Sequence, residues 1–247
     1  MNTILEVQEV SKSFGGVSAN KDISLTVERG GITGLIGPNG SGKTTLFNSV
    51  VGYHPIDSGS IKFEDQEIST LPVQKIARLG LLRTFQQTRI YSAMNCVENM
   101  LISLPHRKMN FRDAFTRNGN EEYERADRLL EFVGLYEKRL LLAGSLSFGQ
   151  QKLLEFAMAL MNEPAALLLD EPTAGINPTL INGLIDRLKR ANVEFGITLF
   201  IIEHNMRVIM NMADTIYCLA HGEMLAKGSP DDIQNNQKVI DAYLGAH

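Results

Sequence analysis

A length of 247 residues suits one large α/β domain, or one domain with a subdomain. With 44% hydrophobic and 21% charged residues, the chain can bury a sizeable core, which excludes a disordered protein. Its 24 Lys and Arg residues against 28 Asp and Glu give a net charge of −4. No dense basic cluster is present, which argues against a nucleic-acid binder.

Sequence signals of membrane insertion, secretion and disulfide formation are also lacking. Apolar stretches such as residues 165–169 are far shorter than the ~20 residues that span a bilayer. The N-terminus has neither the basic region nor the long apolar core of a signal peptide. Cys96 and Cys218 lie far apart and have no metal-binding spacing. We therefore expect a soluble, intracellular protein without disulfides.

The first predicted elements are antiparallel strands. Apolar and polar residues alternate at 5–10 and again at 23–27, and the stretch between them, residues 11–20, is rich in turn formers. Residues 32–36 then form a short apolar strand. A glycine-rich turn follows this strand and leads into a predicted helix at about residues 43–51.

Helical periodicity dominates the middle of the chain, from about residue 71 to residue 162, with few strand signals. Apolar residues recur near i, i+3 and i+4 at residues 121–133 and 150–161. The polar stretch at residues 105–125 is mixed in charge, which favours a solvated surface insertion over a specific binding site.

The last third of the chain returns to strands and short helices. It contains two apolar strands that each lead into a helical segment, a hairpin around His221-Gly222 and a closing helix. The predicted strands and the closing helix lie at residues 166–169, 198–202, 215–219, 224–226 and 238–244.

Strands that alternate with helices predict an α/β fold with a parallel sheet core. The central helical block is too long for one crossover connection, so we expect a subdomain within a single domain of residues 1–247. The division places the sheet core and the antiparallel β region at about residues 1–87 and 163–247. The helical subdomain then comprises about residues 88–162.

One segment matches the phosphate-loop pattern G-x-x-x-x-G-K-[ST], between a predicted strand and a predicted helix. Its glycines allow backbone N–H groups to surround phosphate oxygens, and the helix N-terminus adds favourable partial charge. Lys43 would reach the β- and γ-phosphates, and the Thr44 hydroxyl would bind Mg²⁺. We therefore predict a nucleotide site that comprises Gly37, Pro38, Asn39, Gly40, Ser41, Gly42, Lys43, Thr44 and Thr45.

Two carboxylates follow the apolar strand at residues 166–169. A buried strand places Asp170 at the carboxyl edge of the sheet, where ligands of open α/β sheets bind. Asp170 could then hold Mg²⁺, and Glu171 could act as general base for the water that attacks the γ-phosphate. Taken alone, a strand followed by Asp-Glu is more typical of a helix N-cap, and only the upstream phosphate loop favours the catalytic interpretation.

A second candidate anion site lies just upstream, where Leu146-Ser147-Phe148-Gly149-Gln150-Gln151 opens a helix. A serine hydroxyl, free N–H groups and the positive end of the helix dipole can together bind an anion. As an isolated peptide, the segment is more typical of an ordinary capped helix. Its position before Asp170 favours the anion site.

These motifs occur in the order typical of ATP-binding-cassette ATPases, which the chain resembles over nearly its whole length. The resemblance implies a phosphate-loop NTPase fold with a RecA-like sheet, and it implies ATP and Mg²⁺ as ligands. Phe14 resembles the aromatic residue that stacks on adenine, although a lone Phe is more often a core residue. Gln86 resembles the glutamine that senses the γ-phosphate and Mg²⁺, and His204 resembles the histidine that hydrogen-bonds the γ-phosphate.

The resemblance also implies a binding role for Ser147, Gly149 and Gln150 toward the ATP of a second cassette. Two positions depart from the family pattern. Phe148 stands where many relatives have Gly, and the loop Ala174-Gly175-Ile176-Asn177 stands where Ser-Ala-Leu-Asp is usual. The second change removes a carboxylate, so a charge-based role at Asn177 is not expected.

Longer stretches resemble one branch of the family, the ATPases of branched-chain amino acid importers. They include residues 83–86, 149–152, 174–178, 202–206 and 233–245. This branch implies permease subunits, a second ATPase subunit and, indirectly, an extracytoplasmic solute-binding protein as partners, at the cytoplasmic face of the membrane. Urea or amide importers and lipopolysaccharide exporters are related alternatives.

Two further classes of protein compete with a transport ATPase. Soluble cassette ATPases that act on DNA or ribosomes usually carry tandem cassettes or coiled-coil insertions and basic surfaces, which this sequence lacks. A phosphate-loop kinase is disfavoured because it has no use for the Ser147–Gln151 motif. The sequence therefore predicts an ATPase that drives transport and has no nucleic-acid partner.

Overall fold

A computed structural model of the chain describes residues 2–84, 90–104 and 117–244. The fold divides into two compact units. One comprises Met1–Arg83, Ala165–Pro172 and Leu188–His247, and the other comprises Thr84–Pro164 and Thr173–Arg187. We call them the sheet unit and the helical unit.

The strands of the described residues all lie in the sheet unit. They are β1 (Thr3–Phe14), β2 (Val17–Glu28), β3 (Ile32–Ile36), β4 (Ser58–Phe63), β5 (Gln66–Glu67), β6 (Leu81–Arg83), β7 (Ala166–Asp170), β8 (Thr198–Ile202), β9 (Thr215–Ala220) and β10 (Glu223–Gly228). The helices are α1 (Lys43–Val50), α2 (Val73–Arg78), α3 (Cys96–Ile102), α4 (Arg117–Phe132), α5 (Phe148–Leu160), α6 (Pro178–Phe195), α7 (Met206–Met212), α8 (Pro230–Gln234) and α9 (Gln237–Leu244).

An antiparallel sheet of order β2-β1-β4-β5 begins the sheet unit, and it confirms the predicted N-terminal β region. Val7 faces Leu25 on one neighbouring strand and Ile61 on the other, so the apolar positions share one buried face. The prediction of a long turn at residues 11–20 is wrong. Gly15 and Gly16 both have positive φ and form a two-residue turn, which lets β1 and β2 continue pairing up to Phe14 and Val17.

The second sheet has the order β10-β9-β3-β8-β7-β6. Strands β9, β3, β8, β7 and β6 are parallel, and β10 closes one edge as the second strand of the predicted hairpin. All residues of β3, β7 and β8 are buried, as expected for parallel strands covered on both faces. Because these three strands are parallel neighbours, their carboxyl ends lie at the same edge of the sheet.

A continuous apolar cluster connects the two sheets of this unit through α1. Phe47 of α1 packs on Phe200 of β8, with ring centroids 4.7 Å apart. This packing fixes α1, and with it the loop that precedes α1, against the carboxyl edge of the parallel sheet.

In the helical unit, α3 packs against α4 and α5. Asn95 and Glu98 form a capping box at the start of α3. The buried Asn99 amide donates to the carbonyls of Tyr91 and Met94 and accepts the Tyr91 N–H at 2.7 Å, which organises the turn before the helix. None of the helices in the described ranges is long and apolar enough to cross a membrane.

The strands β3, β7 and β8 and the helices α1, α4, α5 and α9 confirm the sequence predictions, apart from shifts at their ends. The short strands β4, β5 and β6 were not predicted. Residues 173–187 group with the helical unit, whereas the predicted division places them with the sheet core. A contact that explains this grouping is the hydrogen bond from Arg187 Nε to the Val133 carbonyl, at 2.9 Å.

Candidate nucleotide site

The phosphate loop leaves the end of β3 through a glycine that no other residue could replace. Gly37 has φ +147°, and a Cβ added there would lie 2.1 Å from the Leu219 carbonyl oxygen. At the other end of the loop, Gly42 has φ +99° and caps α1. Asn20 of β2 donates to the Gly42 carbonyl at 3.1 Å and so fixes this end of the loop.

Lys43 closes the loop on itself. Its ammonium group donates to the carbonyl oxygens of Gly37, at 2.8 Å, and Pro38, at 2.9 Å. Burial lowers the pKa of this ammonium, and the carboxylates of Glu171 and Asp170 oppose that shift. A buried ammonium that already lies beside anions is suited to bind phosphate oxygens when they replace the loop carbonyls.

Asp170 ends β7 as a buried carboxylate. Its Oδ2 accepts a hydrogen bond from Arg83 at 2.6 Å, and both side chains are almost fully buried. Arg83 ends the neighbouring strand β6, also donates to Asn48 Oδ1, and lies over the Phe47 ring. The ion pair fixes the orientation of Asp170 at the carboxyl edge of the sheet.

Glu171 and His204 meet at the ends of β7 and β8. Glu171 Oε1 and His204 Nε2 are in hydrogen-bond contact. Glu171 has φ +51°, an uncommon conformation for a non-glycine residue, and its N–H donates to the Ile202 carbonyl at 2.9 Å. The buried Glu203 carboxylate accepts the N–H groups of His204 and Asn205, which orders the chain that carries the imidazole.

These groups surround one cavity of about 200 Å³. Glu171 and His204 lie opposite the phosphate loop in it, together with Ala19 from β2. The loop residues that line it are Asn39, Gly40, Ser41, Gly42, Lys43, Thr44 and Thr45. The structure therefore brings together most of the residues that the two motifs predicted.

Thr44 and Asp170 offer the hard oxygen donors that Mg²⁺ prefers, a hydroxyl and a carboxylate. The Thr44 side chain is exposed and lines the cavity, and Asp170 lies at the end of the strand that carries Glu171. Both residues fit an ion that takes its remaining ligands from phosphate oxygens and water. Gln86, the third predicted metal contact, lies outside the described residues.

Phe14 lies at the end of β1, with 45% of its surface exposed. Its ring meets the His54 ring edge-on at a centroid distance of 5.3 Å, and Lys12 Nζ lies 5.3 Å from its centroid. Phe14 is not among the residues that line the phosphate cavity. An exposed aromatic face is available there, and stacking on adenine remains a prediction.

In the helical unit, Ser147 caps α5. Its hydroxyl accepts the Gln150 N–H at 3.4 Å, and Gln150 Oε1 accepts the Ser147 N–H at 3.1 Å, which completes a capping box. Gly149 follows in the first turn, where a Cβ would lie 3.3 Å from Leu180 Cδ1. The ordinary capped helix is therefore present, and anion binding there remains a prediction.

The two departures from the family pattern are physically related. Gly175 has φ +74°, and a Cβ there would lie 2.9 Å from the ring of Phe148. A phenylalanine at position 148 therefore disfavours a side chain larger than glycine at position 175, whereas the usual family residues are Gly and Ala. Asn177 accepts the N–H of Thr179 at 3.1 Å and its hydroxyl at 2.9 Å, so this residue orders the start of α6.

Three contacts of the phosphate loop and its neighbours were not predicted. They come from Asn20, Arg83 and Tyr243, whose hydroxyl accepts the Gly37 N–H. The sequence does mark Arg83 as a candidate site residue, because this single charged residue directly follows Leu81-Leu82 and precedes the Gln86 motif. Asn20 and Tyr243 act across long sequence separations, and no local pattern marks them.

A glycine-rich loop between a central parallel strand and a helix, with acidic residues at the same edge of the sheet, defines a phosphate-loop nucleoside triphosphatase. A family model described as "ABC transporter" matches residues 20–174. A second, described as "Branched-chain amino acid ATP-binding cassette transporter", matches residues 223–247. The chain belongs to the ATP-binding cassette family of transporter ATPases, as the sequence motifs predicted.

Named relatives support this assignment over the full length. The chain is 40% identical over 250 residues to the high-affinity branched-chain amino acid transport ATP-binding protein BraF of Pseudomonas aeruginosa, covering 98% of both chains. It is 37% identical over 250 residues to the LivG protein of Escherichia coli K12, again covering 98% of both. The structure of the cassette MJ1267 in its ADP conformation matches with a TM-score of 0.88 and 33% identity, covering 99% of this chain and 100% of that chain.

Proposed function

We propose that this chain is the ATP-hydrolysing subunit of an importer for branched-chain or related hydrophobic amino acids, acting through partner membrane subunits. The observation that carries the ATPase part is the cavity in which the phosphate loop meets Glu171 and His204. The solute class rests on the relatives, which are named as branched-chain amino acid transport ATP-binding proteins. It also rests on the C-terminal family model.

Residues of the loop bind the triphosphate. Residues 39–45, which include the N-terminus of α1, line the cavity, and the partial positive charge of a helix N-terminus favours anionic oxygens. When ATP binds, the Lys43 ammonium group donates hydrogen bonds to the β- and γ-phosphate oxygens in place of the Gly37 and Pro38 carbonyls. Mg²⁺, held by Thr44 and Asp170, would neutralise charge on the β- and γ-phosphates. The Arg83 ion pair keeps Asp170 oriented for that role.

Hydrolysis then needs a base beside the γ-phosphate, and we assign that role to Glu171. Its carboxylate accepts a proton from the attacking water as the water oxygen bonds to the γ-phosphorus. The bond between that phosphorus and the β–γ bridging oxygen breaks, which releases ADP and phosphate. Glu171 contacts His204. Bound ATP would give the imidazole a second partner in the γ-phosphate.

The remaining assignments extend beyond one chain. We infer that the helical unit is the signature subdomain, and that Ser147, Gly149 and Gln150 contact ATP bound by a second ATPase subunit. Gln86 would sense the γ-phosphate and connect the two units in sequence. The complex would sit at the cytoplasmic face of the membrane through permease subunits. A solute-binding protein on the other side would complete it.

Purification from native membranes tests this function. A tagged chain should retain multi-span membrane subunits after mild detergent extraction, and labelled leucine, isoleucine or valine should bind the solute-binding protein of that complex. A tagged cytosolic ATPase from the same cells is the control for adventitious membrane proteins. Recovery of the chain without any membrane subunit would contradict the transport function. A binding protein that prefers urea or amides would contradict the solute class alone.

A further inference from the structure

The C-terminal helix α9 contacts the phosphate loop through one tyrosine. The Tyr243 hydroxyl oxygen accepts the Gly37 N–H at 2.8 Å, although the two residues are 206 positions apart. Among the described residues, this is the hydrogen bond that connects α9 to the loop. It reaches the residue at which the chain leaves β3 and turns toward the nucleotide.

Gly37 is closely enclosed by its neighbours. Its backbone lies against the Leu219 carbonyl and the Ser41 hydroxyl, where a Cβ would come within 2.1 Å and 2.7 Å. Its own carbonyl accepts Lys43 Nζ. The N–H of Gly37 is therefore bound by the Tyr243 hydroxyl, and the carbonyl of Gly37 is bound by the Lys43 ammonium group. Both backbone polar groups of Gly37 are fixed by side chains.

Two grooves lie beside α9. Val239 is buried, and a groove of about 580 Å³ beside Tyr243 is lined by residues of α7, α8 and α9. A second groove, of about 310 Å³, is lined by Asp241 and Ala242 together with residues of the phosphate loop. Among the described residues, the Tyr243 hydroxyl supplies the hydrogen bond that joins α9 to the loop.

We propose that Tyr243 is a positioning residue of the nucleotide site, which holds the Gly37 N–H so that the phosphate loop keeps its binding shape before ATP arrives. The C-terminal helix is thereby part of the ATP site, and its position sets nucleotide affinity. The inference depends on the proposed function only in taking ATP as the ligand. Burial raises the pKa of the phenol to about 12, so the hydroxyl remains neutral at physiological pH.

Tyr243→Phe removes the acceptor and keeps the ring. Tyr217→Phe is the matched control, because the buried Tyr217 hydroxyl accepts the Thr26 N–H at 3.1 Å and donates to the Thr26 carbonyl at 3.0 Å in the same unit. Backbone amide hydrogen exchange of the full chain, followed by NMR without nucleotide, reads both contacts. We expect at least tenfold faster exchange at Gly37 only in Tyr243→Phe, and at Thr26 only in Tyr217→Phe.

Affinity for MgATP is the second readout. Tyr243→Phe should weaken binding by about tenfold, which corresponds to about 1.4 kcal/mol, whereas Tyr217→Phe should stay within about twofold of the wild type. Unchanged Gly37 exchange and unchanged affinity in a folded Tyr243→Phe protein would overturn the inference. A wild-type chain that binds no ATP would instead overturn the proposed function.

If Tyr243→Phe does not fold, the wild-type chain labelled with 3-fluorotyrosine provides the test. The ¹⁹F resonance of Tyr243 should shift when MgATP binds, and that of Tyr217 should not. A Tyr243 resonance that stays unmoved at saturating MgATP would equally overturn the inference.

Discussion

At the scale of single residues, Glu171 and His204 contact each other in the cavity beside the phosphate loop, and we propose Glu171 as the general base. Glu171→Gln keeps the size of the side chain and removes its ability to accept a proton. Because general bases contribute typically about 10²–10⁴-fold, we expect ATP hydrolysis to fall by that factor while ATP still binds. Steady-state phosphate release measures the first effect, and nucleotide titration measures the second.

Glu223→Gln is the matched control for this variant, since Glu223 pairs with Lys21 on the surface of β10. It should leave hydrolysis unchanged. Hydrolysis by Glu171→Gln at the wild-type rate would show that another group accepts the proton.

Phe14 offers a second test at this scale. If adenine stacks on its exposed ring, Phe14→Ala should weaken ATP binding by roughly one to two orders of magnitude, since base stacking on an aromatic residue contributes ~1–3 kcal/mol. The neighbouring Val17 lies opposite Phe14 in the hairpin and is also exposed, so Val17→Ala controls for damage to the turn. Isothermal titration with ATP would refute the assignment if both variants bound like the wild type.

At the scale of elements, Phe148 at the start of α5 and Gly175 in the loop before α6 form a matched pair. Gly175→Ala should destabilise the protein by about 1–3 kcal/mol, because alanine disfavours positive φ and its Cβ would contact the ring. In a Phe148→Ala background the ring is absent, so Gly175→Ala should lower the free energy of unfolding by less. We expect a coupling energy between the two substitutions of about 0.5–1.5 kcal/mol. Urea unfolding of the four proteins measures that coupling, and additive effects would mean that the ring simply moves aside.

Elements with strong local signals could be predicted from the sequence, and the others could not. The buried runs of β3, β7 and β8 and the loop before α1 have patterns that specify them locally. The short strands β5 and β6 each have only two or three residues, too few to establish a period. Around Gly15-Gly16 the sequence predicts a broader loop than the hairpin has, because polar residues of its strands are also typical turn formers.

In the candidate site too, only the residues with a local sequence pattern could be predicted. Motif residues from Asn39 to Thr45 line one cavity, because the sequence of a phosphate loop specifies its local geometry. From distant positions, Asn20 contacts Gly42, Tyr243 contacts Gly37, and Arg83 pairs with Asp170. Their roles depend on which strands become neighbours, and sheet order is not a local property of sequence.

At the scale of the whole molecule, we expect two chains to bury two ATP molecules at a symmetric interface. Glu171→Gln should trap this dimer with ATP and Mg²⁺, because hydrolysis no longer removes the nucleotide that bridges the chains. Adding Ser147→Arg should prevent the dimer and leave ATP binding by the monomer nearly intact, since Ser147 caps a helix in the other unit. Gel filtration with light scattering distinguishes the two states, and a double variant that dimerises as well would contradict the role of Ser147.

ATP-dependent uptake of labelled leucine by the purified complex in proteoliposomes tests the central claim most directly. With its solute-binding protein and with ATP on the cassette side, the wild-type complex should accumulate leucine. A complex that carries Glu171→Gln should accumulate at least tenfold less. Equal uptake with and without ATP, or ATP hydrolysis without leucine accumulation, would contradict the proposal that this chain powers the import of branched-chain amino acids.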